Sequence, residues 1–141
     1  MRKRVAAVLG TLLMAFGIVI ATASPAAAYE INYAVNATWN TDHAKDCTFD
    51  DYVFGAGDAC FQPYGDYIWV LDGRTDGYEV ALYWDDLDSA RAGKCMDDLG
   101  ADSAWTGCNK DFTEGHTIRW RFAWEWTNGW IISENYWETT A

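Results

Sequence analysis

The fold is decided near the end of the chain, by the stretch His116–Glu138, which reads HTIRWRFAWEWTNGWIISENYWE. Asn128-Gly129 separates two runs rich in aromatic and β-branched residues. Asn-Gly is the pair that a two-residue hairpin turn prefers, because both turn positions need positive φ. Counting outward from this turn predicts an antiparallel ribbon whose cross-strand pairs are Trp126 with Ile131, Trp120 with Trp137, Arg121 with Tyr136, and Arg119 with Glu138. A one-residue slip would bury the arginines, so the hydrophobic pattern itself favours the predicted register.

A second alternating stretch lies at residues 29–40. Its apolar members are Tyr29, Ile31, Tyr33, Val35, Ala37 and Trp39, and polar or small residues separate them. Alternation with period two predicts a strand with one apolar face. This strand is either the ordinary first strand of the sheet or a partly free strand that adds to an open sheet edge of a partner.

Residues 1–28 have the features of a secretory signal. Three basic residues precede an apolar core, and Ala26-Ala27-Ala28 forms a small-residue cleavage box. We expect cleavage after Ala28, with a cut after Ala23 as the alternative. An uncleaved membrane anchor is disfavoured because glycines interrupt the apolar run. The predicted organisation is a signal peptide at 1–28, an amphipathic strand at 29–40 and a disulfide-stapled β domain at 41–141.

The four cysteines are Cys47, Cys60, Cys95 and Cys108. An even number of cysteines in an exported chain predicts disulfides, and four cysteines allow three connectivities. The equal, turn-rich intervals from the first to the second and from the third to the fourth cysteine favour the sequential pairing. A zinc site is the alternative, but the chain has no C-x-x-C motif, and His43 and His116 lack ligand spacing.

The charge of the chain limits the kinds of partner. The chain has 21 acidic and 10 basic residues, and three of the basic residues lie in the predicted signal. So acidic a mature chain disfavours nucleic acid and anionic membranes as partners. Solubility in the medium is the simplest reason for this charge.

The middle of the chain alternates short strand patterns with turns. Residues 67–71 and 78–84 match strands, and the turn signals at residues 72–77 separate them. Residues 88–93 fit a short helical turn, and residues 94–96 fit a short strand equally well. Short strands at this spacing, two disulfides and no amphipathic helix predict a small antiparallel β-sandwich or compact barrel.

No constellation of residues in the chain predicts catalysis. No serine lies in a G-x-S-x-G motif, and His116 matches an ordinary residue at the start of a strand. A glycosidase would need two carboxylates across a sugar-sized cleft, for which this domain has little room. A surface calcium ion held by Asp85, Asp86 and Asp88 is an alternative to a solvated acidic loop. We therefore expect no enzymatic activity, no cofactor and no resident metal.

Aromatic side chains are the candidate binding groups. Nine tryptophans are difficult for so small a domain to bury, and Trp and Tyr are enriched in binding hot spots. The predicted binding residues are Tyr29, Ile31, Tyr33, Val35, Trp39, Arg121, Trp130, Ile132 and Tyr136. The alternative is that these rings pack in the interior.

From Cys60 onward the chain resembles a loose group of small secreted proteins of filamentous actinomycetes. The resemblance rests on ACFQPYGD at 59–66, DGRTDG at 72–77, RAGKC at 91–95 and CNKDFTEG at 108–115. It implies a small disulfide-bonded β-sandwich. It implies no catalytic residues, because most members of the group have no known activity.

The chain also resembles the small adaptor subunit of umbrella-shaped toxin particles, a compact secreted β-protein that links a toxin chain to lectin-like spokes. The strand over residues 29–39 is the feature that would suit such a linker. We therefore expect a secreted, non-enzymatic adaptor or accessory subunit that binds another secreted protein through this strand and the aromatic hairpin. The alternatives are a carbohydrate-binding module, an inhibitor of a hydrolase, or a small hydrolase with a carboxylate pair.

Overall fold

A computed structural model describes residues 28–48, 55–101 and 104–141. The predicted signal peptide and its cleavage site therefore lie almost entirely outside the described residues. Within these ranges the chain forms no helix, and so none that could span a membrane. The strands are β1 (Glu30–Tyr33), β2 (Val35–Asn36), β3 (Asp46–Cys47), β4 (Gly57–Gln62), β5 (Tyr67–Asp72), β6 (Val80–Asp86), β7 (Ala92–Asp97), β8 (Thr106–Asn109), β9 (Thr117–Trp126), β10 (Gly129–Ile132) and β11 (Trp137–Thr140).

The strands form two sheets that pack face to face, which confirms the predicted all-β sandwich. Sheet A has the order β1-β7-β6-β9-β10, and β11 also pairs with β9. Sheet B has the order β2-β8-β5-β4-β3. The strand pairings are antiparallel with one exception, since β1 runs parallel to β7. The ambiguous stretch at residues 94–96 belongs to strand β7.

The core lies between the two sheets and follows the alternation of each strand. Sheet A directs inward the fully or nearly fully buried side chains Val80, Leu82, Trp84, Ile118, Trp120 and Phe122. Sheet B opposes them with Ala59, Phe61, Ile68 and Val70. Phe112 lies in the loop after β8 and closes one end, with its ring 4.9 Å from that of Trp84 and 5.7 Å from that of Phe61. Large aromatic rings therefore occupy much of the interior beside the aliphatic side chains.

Both predicted disulfides are present. Cys95–Cys108 joins β7 of sheet A to β8 of sheet B within the core. Cys47–Cys60 joins the short edge strand β3 to β4 in sheet B. Disulfides persist in oxidising compartments, so the two bonds indicate that the folded protein resides in one.

The tip of the terminal hairpin differs from the prediction. Thr127 and Asn128 form the turn, and Gly129 begins β10 with a φ of 113°. Asp66 is the only non-glycine residue with positive φ in the described ranges, so Asn128 does not adopt the predicted type I′ conformation. Trp124 rather than Trp126 consequently pairs with Ile131.

The base of the hairpin returns to the predicted register. Trp137 pairs with Trp120, and Glu138 pairs with Arg119, as the sequence predicts. The register changes by two residues between β10 and β11. From 132 to 137 the chain moves five positions, while the paired positions in β9 move only three, from 123 to 120. A shift of two residues keeps every side chain on its predicted face, because strands alternate with period two.

The predicted long first strand is divided between the two sheets. Residues 30–33 form β1 at the edge of sheet A, and residues 35–36 form β2 at the edge of sheet B. Ala34 is buried between them, and its N–H donates to the Met96 carbonyl at 2.7 Å. The N-terminal segment therefore closes one side of the sandwich. Its last strand ends at Asn36, before Trp39.

Candidate functional site: the outer face of sheet A

Strand β1 presents its apolar side chains to solvent and its polar side chains to the protein. Tyr29, Ile31 and Tyr33 are 50%, 54% and 60% exposed, whereas Glu30 and Asn32 are partly buried. An edge strand of a sandwich normally buries its apolar face. The polarity of β1 is thus the reverse of what its alternation alone predicts.

A cation from the loop after β8 holds β1 in this orientation. Lys110 Nζ donates to Glu30 Oε2 at 2.6 Å and to Asn32 Oδ1 at 2.7 Å. The ammonium group also lies 4.8 Å from the centroid of the Trp84 ring. Arg91 Nε donates to Glu30 Oε1 at 2.9 Å from the other side. Because these partners satisfy the polar side of β1 inside the protein, Tyr29, Ile31 and Tyr33 must point outward.

The charge of Glu30 is stabilised by these partners. Desolvation by burial opposes ionisation of its carboxyl group and would raise its pKa. The hydrogen bonds and positive charges of Arg91 and Lys110 outweigh that effect, so the pKa of Glu30 lies below its ordinary value. Glu30 is therefore an ionised link between β1 and the body of the sandwich.

The strand register arranges the outer face of sheet A in transverse rows. One row is wholly apolar and crosses five strands, with the members Tyr33, Met96, Ala81, Ala123 and Ile132. The neighbouring row crosses four strands, with the members Ile31, Lys94, Tyr83 and Arg121. The face therefore combines an apolar centre with two basic side chains, in a chain that is acidic overall.

Trp130 lies across the centre of this face. Its ring centroid is 5.9 Å from that of Tyr83, and Lys94 Nζ lies 4.4 Å from it. To reach these groups from β10, the Trp130 side chain must pass over β9. Ala81 and Ala123 are fully buried although they point away from the core, and their small side chains leave the room that the indole needs.

The end of the face at the base of the hairpin carries an ion pair. Arg119 Nη2 donates to Glu138 Oε1 at 2.6 Å, and the guanidinium lies 4.6 Å from the centroid of the Tyr136 ring. The sequence predicts that Arg121 is the cation beside Tyr136, and the structure places the Arg119 guanidinium over that ring. Burial, together with the nearby Tyr83 and Asp85, raises the pKa of Tyr29 to about 12, so its hydroxyl stays protonated.

The opposite end of the face, near the hairpin tip, is acidic. Burial raises the pKa of Glu79, and the negative charges of Glu125 and Asp98 raise it further, while Lys94 opposes them. The outer face therefore has acids at one end, an apolar and basic centre, and an ion pair at the other end.

The structure brings together all predicted binding residues except Val35 and Trp39. The outer face is contributed by β1 at one edge and the hairpin at the other, and its members from the prediction are Tyr29, Ile31, Tyr33, Arg121, Trp130, Ile132 and Tyr136. The prediction did not include Tyr83, Lys94 and Met96, which connect the two groups. The sequence contained a signal for Tyr83. It lies between Leu82 and Trp84, which point to the core, so the period of two places its own side chain on the outer face.

The two remaining predicted residues belong to the side of sheet B. Trp39 stacks on Trp105 at 4.3 Å between ring centroids and meets the edge of Trp69 at 5.3 Å. Lys45 Nζ lies 4.8 Å from the Trp39 ring and 5.4 Å from the Trp69 ring. Trp39 therefore covers the outer surface of sheet B, and Val35 is exposed at the edge of the same sheet.

The acidic groups considered for catalysis or metal binding have structural partners. Asp86 accepts hydrogen bonds from Ser89 Oγ at 2.6 Å and from the Asp88 N–H at 3.0 Å, and its carboxylate lies 2.9 Å from His116 Nδ1. Asp88 in turn accepts the Thr117 N–H at 2.7 Å. In the part of the chain that the structure describes, no three His, Cys, Asp or Glu residues are grouped so that they could hold a metal ion.

The chain matches no protein-family model, no curated protein and no solved structure. The resemblance to small secreted proteins of actinomycetes consequently stays a prediction, as does the likeness to an adaptor subunit. The functional assignment rests on the outer face of sheet A and its chemistry.

Proposed function

We propose that this protein is a secreted, non-enzymatic interaction protein that binds a protein partner over the outer face of sheet A. It would serve as an adaptor or accessory subunit of an extracellular assembly such as a toxin particle. The observation that carries the proposal is the reversed polarity of β1. Three large apolar side chains are held in solvent by an internal ionic network, at a cost that a partner surface would offset.

The composition of the face fits a protein partner. Tyr, Trp and Arg are the residue types most enriched in binding hot spots, and the face contains all three. Its apolar row spans the width of the sheet and is exposed at its two ends, Tyr33 and Ile132, whereas Met96, Ala81 and Ala123 between them are buried. Polar and charged groups surround the row. An apolar centre with a polar rim is the usual organisation of a protein interface.

A polysaccharide surface fits the same face less well. Sugar rings stack on aromatic side chains that lie flat against them, so a platform for a polysaccharide needs coplanar rings. The planes of Tyr83 and Trp130 meet at 62°, and they cannot both lie flat on one polysaccharide surface. The carbohydrate-binding alternative therefore has weaker support than a protein partner.

The test is affinity capture of the partner from the culture medium of the producing organism with parent and variant proteins. Tyr33→Ser and Ile132→Ser replace the exposed ends of the apolar row. We expect each to weaken capture about tenfold or more, because hot-spot truncations cost roughly 2 kcal/mol. Tyr64→Ser is the matched control, since Tyr64 is 69% exposed on a turn of sheet B.

The unfolding temperature of all three variants should match that of the parent within a few degrees. Capture that is unchanged by both face variants would reject the outer face as the binding surface. A glycan array provides the other arm. Saturable binding to one class of glycan that Trp130→Ala abolishes would replace the protein partner with a carbohydrate.

A further inference from the structure

The open edge of β1 presents unpaired backbone groups beside its exposed apolar side chains. In a parallel ladder, alternate residues direct both backbone groups to the same neighbouring strand. The Ala34 N–H donates to the Met96 carbonyl, so the even-numbered residues of this segment bond to β7. Ile31 and Tyr33 then direct their N–H and C=O groups to the open edge, where no other described strand pairs with them.

Such an edge is a template for another strand. Proteins usually protect an exposed edge with charges, prolines or a covering segment. Here Ile31 and Tyr33, whose backbone groups point outward, carry no charge, and their side chains are the most exposed large apolar groups within the strands of sheet A. An added strand would therefore gain backbone hydrogen bonds and apolar contacts at the same positions.

We propose that the edge of β1 pairs with the β1 edge of a second copy of this chain. The pairing is antiparallel, about a two-fold axis at Ile31. In this register Ile31 lies opposite Ile31 of the second copy, and Tyr29 lies opposite Tyr33 in both directions. The residues with outward-directed backbone groups thus meet each other, and their apolar side chains form one continuous ladder on the outer face.

The charges of β1 are compatible with this arrangement. On the inner side, Glu30 lies opposite Asn32 of the second copy, whose amide can donate to the carboxylate. Lys110 binds both Glu30 and Asn32 within its own chain, so it also lies close to the Glu30 of the second copy. No like charges face each other across the axis, which favours a second copy over an unrelated strand as the occupant.

The dimer leaves the outer face of sheet A free. Edge pairing extends the sheet sideways, so the outer faces of the two copies lie side by side and remain open to a partner. A dimeric protein would then offer two equivalent binding faces and bind a multivalent assembly more tightly than a monomer. The dimer does not depend on the proposed function, and either can fail without the other.

Cysteine crosslinking tests the register directly. At a hydrogen-bonded antiparallel pair the two Cα atoms lie about 5.5 Å apart, within the range that a disulfide spans. Ile31→Cys should therefore form an intermolecular disulfide under mild oxidation. Tyr33→Cys is the matched control, because four residues separate the two copies of position 33 along the ladder, a distance of roughly 13 Å.

The mass in solution, measured by light scattering across a concentration series, supplies the second readout. The parent should reach twice the monomer mass, and Ile31→Pro should remain a monomer because it lacks the N–H that crosses the axis. Since that N–H makes no bond within the monomer, the unfolding temperature of Ile31→Pro at low concentration should match that of the parent.

Three results would overturn the dimer. They are a monomeric parent at every concentration, equal crosslinking through positions 31 and 33, and an Ile31→Pro variant that stays dimeric. A monomeric parent that still captures its partner would leave the proposed function intact. A dimer whose face variants capture as well as the parent would reject the proposed function alone.

Discussion

Lys110 and Glu30 lie 80 positions apart in the chain and meet in a 2.6 Å ion pair at the edge of the sandwich. The Lys110 side chain is only 4% exposed, and that of Glu30 is 30% exposed. A charge so deeply buried needs a partner, and β1 supplies it with its polar side. This pair, formed between distant segments, decides which side of β1 faces solvent.

Replacing Lys110 with methionine should loosen β1. The variant leaves Asn32 without its donor and Glu30 with Arg91 alone. We expect a loss of about 2 kcal/mol in the free energy of unfolding, the usual worth of a hydrogen bond to a charged group. Denaturant unfolding measures the loss, and hydrogen exchange should show faster exchange of the β1 amides.

The matched control is Arg119→Met, which breaks the exposed ion pair with Glu138. Exposed pairs contribute little, so its unfolding midpoint should stay near that of the parent. Equal midpoints for Lys110→Met and the parent would mean that the orientation of β1 does not depend on this network.

Asp86 should make stability depend on pH in the acid range. Desolvation opposes its ionisation, but hydrogen bonds from Ser89, His116 and the Asp88 N–H outweigh it and lower its pKa in the folded state. The unfolded chain therefore binds this proton more tightly than the folded chain. The stabilisation from Asp86 is present above about pH 4, the ordinary pKa of the group, and is lost as the pH falls through the lowered folded value.

Asp86→Asn should flatten this acid limb in a series of denaturant titrations between neutral and acid pH. The exposed Asp42 provides the control for the loss of one carboxylate, and Asp42→Asn should leave the free energy of unfolding at neutral pH close to that of the parent. Glu30 acts with Asp86, since its pKa is also lowered. Burial raises the pKa values of Asp66 and Asp72. The folded chain binds these two protons more tightly than the unfolded chain, so these groups increase the free energy of unfolding as the pH falls. An acid limb unchanged in Asp86→Asn would contradict the assignment.

The hairpin illustrates what local sequence could predict. Alternation predicted the face of each side chain correctly. The two-residue shift at the tip leaves those faces unchanged, because strand side chains alternate with period two. The turn itself depends on distant groups. In the observed register the Trp130 ring reaches Lys94 and Tyr83, which belong to strands that no local pattern connects to the hairpin.

The first strand illustrates the opposite case. Its alternation predicted a strand with an apolar face, and residues 30–33 form one. Which face would be buried depended on Lys110, because the polar side of β1 satisfies a buried cation from a distant loop. The parallel pairing with β7 and the crossing to sheet B at Ala34 likewise depend on non-local contacts.

The two disulfides should differ in their contribution to stability although they close loops of the same length. Both join cysteines 13 positions apart, so the chain-entropy contribution is about 3 kcal/mol for each. Cys95–Cys108 also fills the core between the sheets, whereas Cys47 is only partly buried at an edge. Replacing Cys95 and Cys108 with alanine should therefore cost more than replacing the other pair.

Denaturant unfolding of the two double variants checks this order. Mild reduction followed by thiol alkylation and mass spectrometry should also show that Cys47–Cys60 opens first, because Cys47 is only partly buried whereas the other bond has both cysteines in the core. Equal stability of the two variants would mean that the inter-sheet bond contributes no packing beyond its loop closure.

Replacing Trp39 tests whether this residue stabilises the fold or binds a partner on the side of sheet B. Its ring contacts Trp105 and Trp69, and an aromatic pair contributes about 0.5–1.5 kcal/mol beyond its buried area. Trp39→Ala should therefore lower the free energy of unfolding by about 1–3 kcal/mol. It should also expose Trp69, whose fluorescence emission should shift to longer wavelength. Partner capture by Trp39→Ala, measured where the variant is fully folded, should equal that of the parent. A stable variant that loses capture would instead place the contact surface on sheet B, as the sequence alone predicts for this residue.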